Sequence, residues 1–322
     1  MTSIYTERRL INLNSLNATQ YNNGTLLSDV MFNFTNVLKE EQDIVLVEGG
    51  LLNAQIPVSF YTINQYNNIL NYTLSTGSFQ INVPYGNYNY LTLKTAMETA
   101  FSSNLHAITL SINSVNGKIS FTNTTSGATF TNCIEIGSTI WAVLGFKIGG
   151  GNVSAVSNVV SPQFPLNLLG IKKIKIFSDA VGILAYDSSN LGGVNLIDCL
   201  SVNEASYGLI SYSNTQNIYS KVKRKWINQI DIQLRDEFSN LIDFNNTGWT
   251  ITLCLIIYRK YTQEENDLQK YFDRKIVPLL KQLDTDIKGN TENTDTENTV
   301  NPNPSLDVGS LDLDPDYQLL IS

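Results

Sequence analysis

The chain has 322 residues and a formal charge of −8, with 16% of its residues charged and 42% hydrophobic. That length can bury one large core or two ordinary ones, and no run approaches the roughly eighteen apolar residues that a membrane-crossing helix needs. From Asp284 on, nine acids stand against Lys288 alone, so the tail carries the whole net charge and the body is balanced. A balanced body argues against a general nucleic-acid groove, which takes a net basic surface.

Three cysteines, Cys133, Cys199 and Cys254, are odd in number and lie far apart with no CxxC pair, which supports neither a structural zinc site nor a disulfide framework. Met1 to Arg9 is polar and charged with no apolar core after it, so no signal peptide is expected and synthesis in a reducing cytosol follows. Asn17-Ala18-Thr19, Asn33-Phe34-Thr35 and Asn71-Tyr72-Thr73 are sequons expected by chance among 38 asparagines.

In chain order, residues 1–30 read as an N-terminal arm with local order, carrying Tyr5, Arg8-Arg9, an Ile11-Asn12-Leu13-Asn14 alternation and an Asn22-Asn23-Gly24 turn. Strand-like runs follow at Ile44–Val47, Gln55–Ile63, Ile69–Thr73 and Phe79–Val83, with Asn67-Asn68 turning the second back onto the third. Leu93, Ala96, Met97, Ala100 and Phe101 recur at helical spacing and predict one apolar helix face lying on a sheet. Asn116-Gly117 between Ala107–Ile112 and Lys118–Thr122 is a strong hairpin signal. Trp141 to Phe146 closes this half, and Gly149-Gly150-Gly151, with no Lys-Ser or Lys-Thr after it, reads as a connection rather than a phosphate loop.

The pattern restarts near Gln163. A strand begins around Ile171–Phe177, Leu184–Tyr186 follows, and Tyr207–Tyr212 with Ile218–Val222 reads as a pair. Trp226, Ile230, Ile232 and Leu234 take one strand face and Gln229, Asp231, Gln233 and Arg235 the other. The last strand, Trp249–Tyr258, puts Trp249, Ile251, Leu253, Leu255 and Ile257 on a core face. Phe60, Tyr61, Trp141, Phe146, Trp226 and Trp249 are the expected aromatic core.

Two strings of residues carry a resemblance. Phe60-Tyr61 followed by Asn64 and Asn67-Asn68, with Pro84-Tyr85-Gly86-Asn87-Tyr88-Asn89 leading into a helix, resembles the N-terminal half of minor capsid proteins of large double-stranded DNA viruses and their virophage-like relatives. Asp29-Val30-Met31-Phe32 and Leu144-Gly145-Phe146 stand where that family has similar segments. A strand ending in Asp236-Glu237, then Leu241-Ile242-Asp243-Phe244 and a Trp249-led strand, resembles its closing strands. A glycine is commoner there where Phe238 and Ser239 stand. The matches frame Gln55 to Tyr258.

The resemblance implies a mainly β chain: a jelly-roll-like β-sandwich, either single and elaborated or two in tandem. It also implies a structural virion protein, a minor capsid or penton subunit, that is not an enzyme. The implied partners are other capsid proteins, the major capsid protein among them, and further copies in a homo-oligomer or multi-copy assembly. An internal membrane is left open as a partner and nucleic acid is disfavoured. The implied location is the virion, after assembly in the host cytoplasm. A receptor- or glycan-binding fibre-type β-sandwich is the alternative, since exposed Tyr and Asn suit sugar faces.

The expected division is an arm at 1–30, a β-rich domain with one helix at 31–160, a β-sandwich domain at 161–260, an amphipathic helix at 261–284 and an acidic flexible tail at 285–322. Thr262-Gln263-Glu264-Glu265 fits a capping box, Leu268, Phe272, Ile276, Leu279, Leu280 and Leu283 line one helix side, and Pro278 should kink or end the helix. Residues 285–304 have almost no apolar content, while Leu306–Ser322 regains it and reads either as a docking peptide on a tether or as a merely solubilising tail.

No catalytic, cofactor or metal residue is expected. His106, the sole histidine, has no Ser or Cys motif placed to use it, and Asp236-Glu237 reads as a solvated turn. The interface candidates are Arg8, Arg9, Lys221, Lys223, Arg224, Lys225, Tyr317, Leu319, Leu320 and Ile321. The run Lys221–Lys225 reads foremost as a solvated strand edge guarded by lysine, and otherwise as a contact for packaged nucleic acid or for an acidic partner such as another copy's tail.

Overall fold

The computed structural model describes residues 4–261, apart from 25, 40, 148, 150, 188, 189 and 225, and then 267, 268 and 270–291. These fall into one unit that ends at Tyr261 and another beyond it. The chain runs through β1 (Ile4–Asn14), β2 (Gln20–Tyr21), β3 (Asp29–Leu38) and β4 (Ile44–Pro57). It continues through β5 (Ile69–Leu74), β6 (Gly77–Asn82), helix α1 (Tyr90–Ser103), β7 (Ile108–Ile112), β8 (Ile119–Asn123), β9 (Phe130–Ile134), a short helix α2 (Trp141–Leu144), β10 (Val153–Ser154) and β11 (Val159–Val160). It returns as β12 (Lys173–Phe177), β13 (Ile183–Asp187), β14 (Asn190–Ser201), β15 (Leu209–Ser213), β16 (Ser220–Lys221), β17 (Ile227–Arg235) and β18 (Thr250–Lys260).

Two antiparallel sheets form a sandwich. One has the order β1-β18-β4-β15 with β16 also on β4, and the other β13-β14-β12-β17-β3-β2. If β1, β3, β4, β12, β14, β15, β17 and β18 are counted one to eight, the first sheet reads one-eight-three-six and the second five-four-seven-two. That interleaving of Greek keys is a jelly roll. Its core holds Leu13, Val30, Ile56, Ile176, Ile230, Ile232, Leu253 and Ile257, drawn from both ends of the chain. Trp249 is 1% exposed, donates its indole N–H to the Leu27 carbonyl at 2.8 Å and meets Phe32 edge-on at 6.4 Å.

Between β4 and β12 a second core is inserted. The sheets β10-β9-β5-β6 and β11-β8-β7, with α1, enclose Tyr72, Leu93, Met97, Phe101, Phe121 and Phe146. Helix α1 starts where Asn89 and Thr92 cap each other reciprocally, the Thr92 N–H reaching Asn89 Oδ1 at 2.9 Å and the Asn89 N–H reaching Thr92 Oγ1 at 3.0 Å. Phe60 belongs to the sandwich core and Ile63 to the inserted one, while on the way back Leu168 packs on the inserted core and Ile171 on the sandwich. The fold is therefore a single sandwich with an elaborate insertion. A boundary at residue 160 does not separate the two cores, because β1, β3 and β4 pair with β17 and β18, which follow that boundary.

Several local expectations give way. Residues 1–30 include β1, paired with β18 along all its 11 residues with Ile11 and Leu13 buried, so this segment is part of the sandwich rather than an arm. Ile44–Val47 and Gln55–Ile63 are not two strands: β4 runs unbroken to Pro57. Gly49-Gly50 sits inside it because a Cβ at Gly49 would lie 2.9 Å from Leu255 and Val222 side chains, and one at Gly50 would lie 3.2 Å from the Ile218 carbonyl. Ile69–Thr73 pairs with β6 and β9, not with the run before it. β15 and β16 do not pair with each other but lie on successive stretches of β4.

Trp226 is 57% exposed rather than core. The register of β17 on β3 shifts between Ile227 and Gln229, and this turns Ile227 inward in its place. Tyr61 is half buried, while Phe60, Trp141, Phe146 and Trp249 are buried as expected.

In the second unit a π-turn at Phe272–Ile276 leads into α3 (Val277–Thr291). The helix passes through Pro278 because the turn before it widens, the Val277 N–H bonding Phe272 O five residues back. Leu268, Phe272, Leu279, Leu280 and Leu283 are exposed. The capping box at 262–265 and the tail beyond 291 lie outside the described residues.

Candidate functional site

Of the groups that could carry chemistry, His106, Cys133 and Cys254 are buried in the cores. His106 is buried, its Nδ1 shares a hydrogen bond of 2.8 Å with the Tyr72 hydroxyl, and its ring meets Phe79 at 4.3 Å. Burial holds its pKa below the usual imidazole range and raises that of Tyr72. Burial also raises the Cys133 thiol. Cys254 is buried and Cys199 exposed.

A cleft of about 450 Å³ opens between β4, β14 and β15, lined by Leu51, Asp198, Tyr212 and Asn214. Burial and then the Asp198 carboxylate push Tyr212 up to about 12, which suits a hydrogen-bonded structural phenol rather than a proton shuttle at neutral pH.

The Asp236 turn is built rather than merely solvated. Burial raises the Asp236 carboxyl, which accepts N–H groups from Phe238 at 2.9 Å and from Asn240 at 2.8 Å. Ser239 sits there at φ +70, where the resembled family more often has glycine. Ser239→Gly should stabilise the protein by about 0.5–1 kcal/mol by removing left-handed strain. Urea unfolding would measure it, and a lower midpoint would mean that the side chain is needed in the turn.

The interface candidates separate by direction along β1. Arg8 is exposed on the outer face of the first sheet. Pairing puts it in one transverse row with Ile256, Glu48 and Lys221. Arg9 points the other way, its Nε donating to Glu7 at 2.6 Å and its Nη1 to the Val37 carbonyl at 2.7 Å, so its guanidinium is engaged within the chain. Lys221, Lys223 and Arg224 are exposed and, with Arg8, form no ion pair among the described residues. Lys221 lies in β16 and Lys223 and Arg224 in the connection leading to Trp226. Lys225, Tyr317, Leu319, Leu320 and Ile321 lie outside the described residues.

Arg259 escaped the sequence reading. Its side chain is 8% exposed and donates to Glu7 at 2.9 Å, to Asp43 at 2.7 Å and to Glu41. The available signal was a cation in phase with Ile251, Leu253, Leu255 and Ile257. The N-terminal start of β1, the start of β4 and the end of β18 meet here, with Ile4 opposite Lys260 and Ile44 opposite Arg259. The insertion leaves from the other end of β4.

The edges of the sheets are treated differently. The Leu110 N–H on β7 is bonded by Glu98 at 2.7 Å, and the Gln80 carbonyl on β6 accepts from Asn104 at 3.1 Å. β2 is only 2 residues long. β1 is an 11-residue edge with Ile4 and Leu10 exposed beside it. Between Thr6 and Asn14 no side chain among the described residues bonds the outward groups of this edge, and such an edge is a template for strand addition.

No protein-family model matches this chain, and no curated protein does. Among solved structures, the mavirus penton protein is similar at 13% identity over 78% of this chain and 99% of its own, with a TM-score of 0.42. A chain of the Sputnik virophage, solved by cryo-EM, is similar at 12% identity over 79% of this chain and 98% of its own, with a TM-score of 0.34.

Proposed function

We propose that this chain is a structural virion protein, a minor capsid or penton subunit that links capsid components through its sandwich surfaces, its N-terminal strand and its C-terminal tail. The observation that carries this reading is a jelly roll with a long edge strand left open beside exposed apolar side chains, a geometry fitted to being gripped by neighbours. The capsid-like residue strings at Phe60–Asn89 and Asp236–Trp249 support it from the sequence.

Its partners are other capsid proteins, the major capsid protein included, and further copies of itself. Its place is the virion, after assembly in the host cytoplasm. The acidic segment Leu306–Ser322 acts as a tethered docking peptide. Deleting it should leave thermal unfolding unchanged and lower incorporation into particles about tenfold, since a tether works by raising effective concentration. Quantitative mass spectrometry of purified particles would read this, and normal incorporation would remove the tether.

Tyr66 and Tyr85, both exposed and lining one small cleft beside Phe60 and Tyr61, favour a glycan-binding fibre-type module as the second reading. A glycan array would test it, and silence on the array would leave the capsid reading alone.

A further inference from the structure

We propose that the open edge of β1, from Thr6 to Asn12, receives the C-terminal segment Ser310–Ile321 of a second copy as an added strand of the first sheet. This rests on the tether reading and names the surface on which the tether ends.

The receiving side is set by backbone chemistry. β1 is the terminal strand of its sheet, so alternate N–H and C=O groups along it point away from β18. Between Thr6 and Asn14 no side chain among the described residues bonds them, in contrast to the guarded amide of β7 and carbonyl of β6. The outer face of the edge presents Thr6, Arg8, Leu10 and Asn12, with Leu10 60% exposed and Arg8 without an ion-pair partner among the described residues. The inner face runs through Ile11 and Leu13 into the core, and Phe34 on β3 packs half-buried at the core margin. The Arg9 bond to Val37 O ties β1 over β3 on this side.

The incoming segment has matching periodicity. Asp312, Asp314, Asp316 and Gln318 alternate with Leu311, Leu313, Pro315, Tyr317 and Leu319, a two-residue repeat that continues to Ile321 with Leu320 as its one break. A strand of this pattern carries its acids on one face and its apolar side chains on the other. With the acids outward they meet Arg8, and the apolar set then continues the layer of Ile11 and Leu13. The segment has four aspartates from Leu306 on and no basic residue, so its charge complements an unpaired arginine. Pro315 fits an edge strand, where its missing N–H can face away from β1. One such contact is weak, and repetition around an assembly strengthens it by avidity.

Hydrogen exchange on the full chain tests this. Amides of Thr6–Asn12 should exchange about tenfold more slowly at high than at low protein concentration, and again when a synthetic peptide of residues 306–322 is added in excess. A peptide carrying D312P should not protect them, because proline removes a ladder donor and bends the strand. Arg8→Glu should weaken peptide binding about fivefold. Protection that does not depend on protein concentration would mean that the tail docks within its own chain and would overturn the proposal. Protection appearing instead at Lys221–Arg224, or nowhere, would overturn it too. Loss of particle incorporation on tail deletion with no protection of β1 would refute this docking site while the tether stands. Unimpaired incorporation would instead refute the tether.

Discussion

Trp249→Ala should destabilise the first unit by about 4 kcal/mol, the range for removing a fully buried large aromatic. Trp249 opens the last strand of the sandwich, fills the space beside Phe32 and ties the β2–β3 connection through its indole bond to Leu27 O. Its backbone N–H is held by Ser15 Oγ at 2.9 Å and its carbonyl by the Ser15 N–H at 3.0 Å, so the same residue pins the end of β1 to the start of β18. Trp249→Phe keeps most of the volume but leaves the Leu27 carbonyl unpaired, and should cost about 1–2 kcal/mol. Denaturant midpoints at unchanged slope would measure both. Equal losses for the two substitutions would mean that the hydrogen bond, not the packing, dominates.

Arg259→Ala should cost about 3 kcal/mol at neutral pH, because it leaves Glu41 and Asp43 together without their cation at the end of the sandwich and Glu7 with Arg9 alone. The pH dependence has a definite sign. The Arg9 guanidinium, and after it Arg259, hold the Glu7 carboxyl below the usual carboxylate range against the opposing effect of burial. A carboxyl with a lowered folded pKa contributes stability that is present above its unfolded pKa and lost as pH falls through the folded value. The parent should therefore lose stability on acidification through that window. The Arg259→Ala variant should lose less, since only Arg9 then holds Glu7. Chemical unfolding at a series of pH values reads the two slopes, and parallel slopes would show that Glu7 is not coupled to Arg259. The cluster anchors the first half of β1, the strand on which the proposed docking edge lies.

Much of the fold was legible where the code is local. The alternation of Trp249–Tyr258 gave the last strand its core face, and Ile251, Leu253, Leu255 and Ile257 lie in the core. The spacing of Leu93, Met97 and Phe101 gave α1 its buried side. Asn116-Gly117 sits in the connection of the β7–β8 hairpin. What failed depends on partners distant in sequence. Gly49-Gly50 reads as a break until Val222, Leu255 and Ile218 are seen against it. Ile11-Asn12-Leu13-Asn14 reads as an arm until β18, some 240 residues on, supplies its ladder. Trp226 and Ile227 compete for one inward position, and only the register shift on β3 decides between them.

The candidate surface was less legible for a related reason. Arg8 and Arg9 look alike in sequence, and pleating sends one to the outer face and the other into an ion-pair cluster. Whether an edge is open depends on what the rest of the chain leaves uncovered. Glu98 and Asn104 guard edges of the insertion, and no comparable residue serves β1 between Thr6 and Asn14 among the described residues.

The central claim is that the sandwich is a shell component held by its neighbours, and a density map of purified particles tests it most directly. The account predicts that the jelly roll, with its insertion at one end, fits into the shell at a symmetry-defined position with neighbouring density against the β1 edge. Particles that contain none of this chain, or a shell with no density matching it, would contradict the claim.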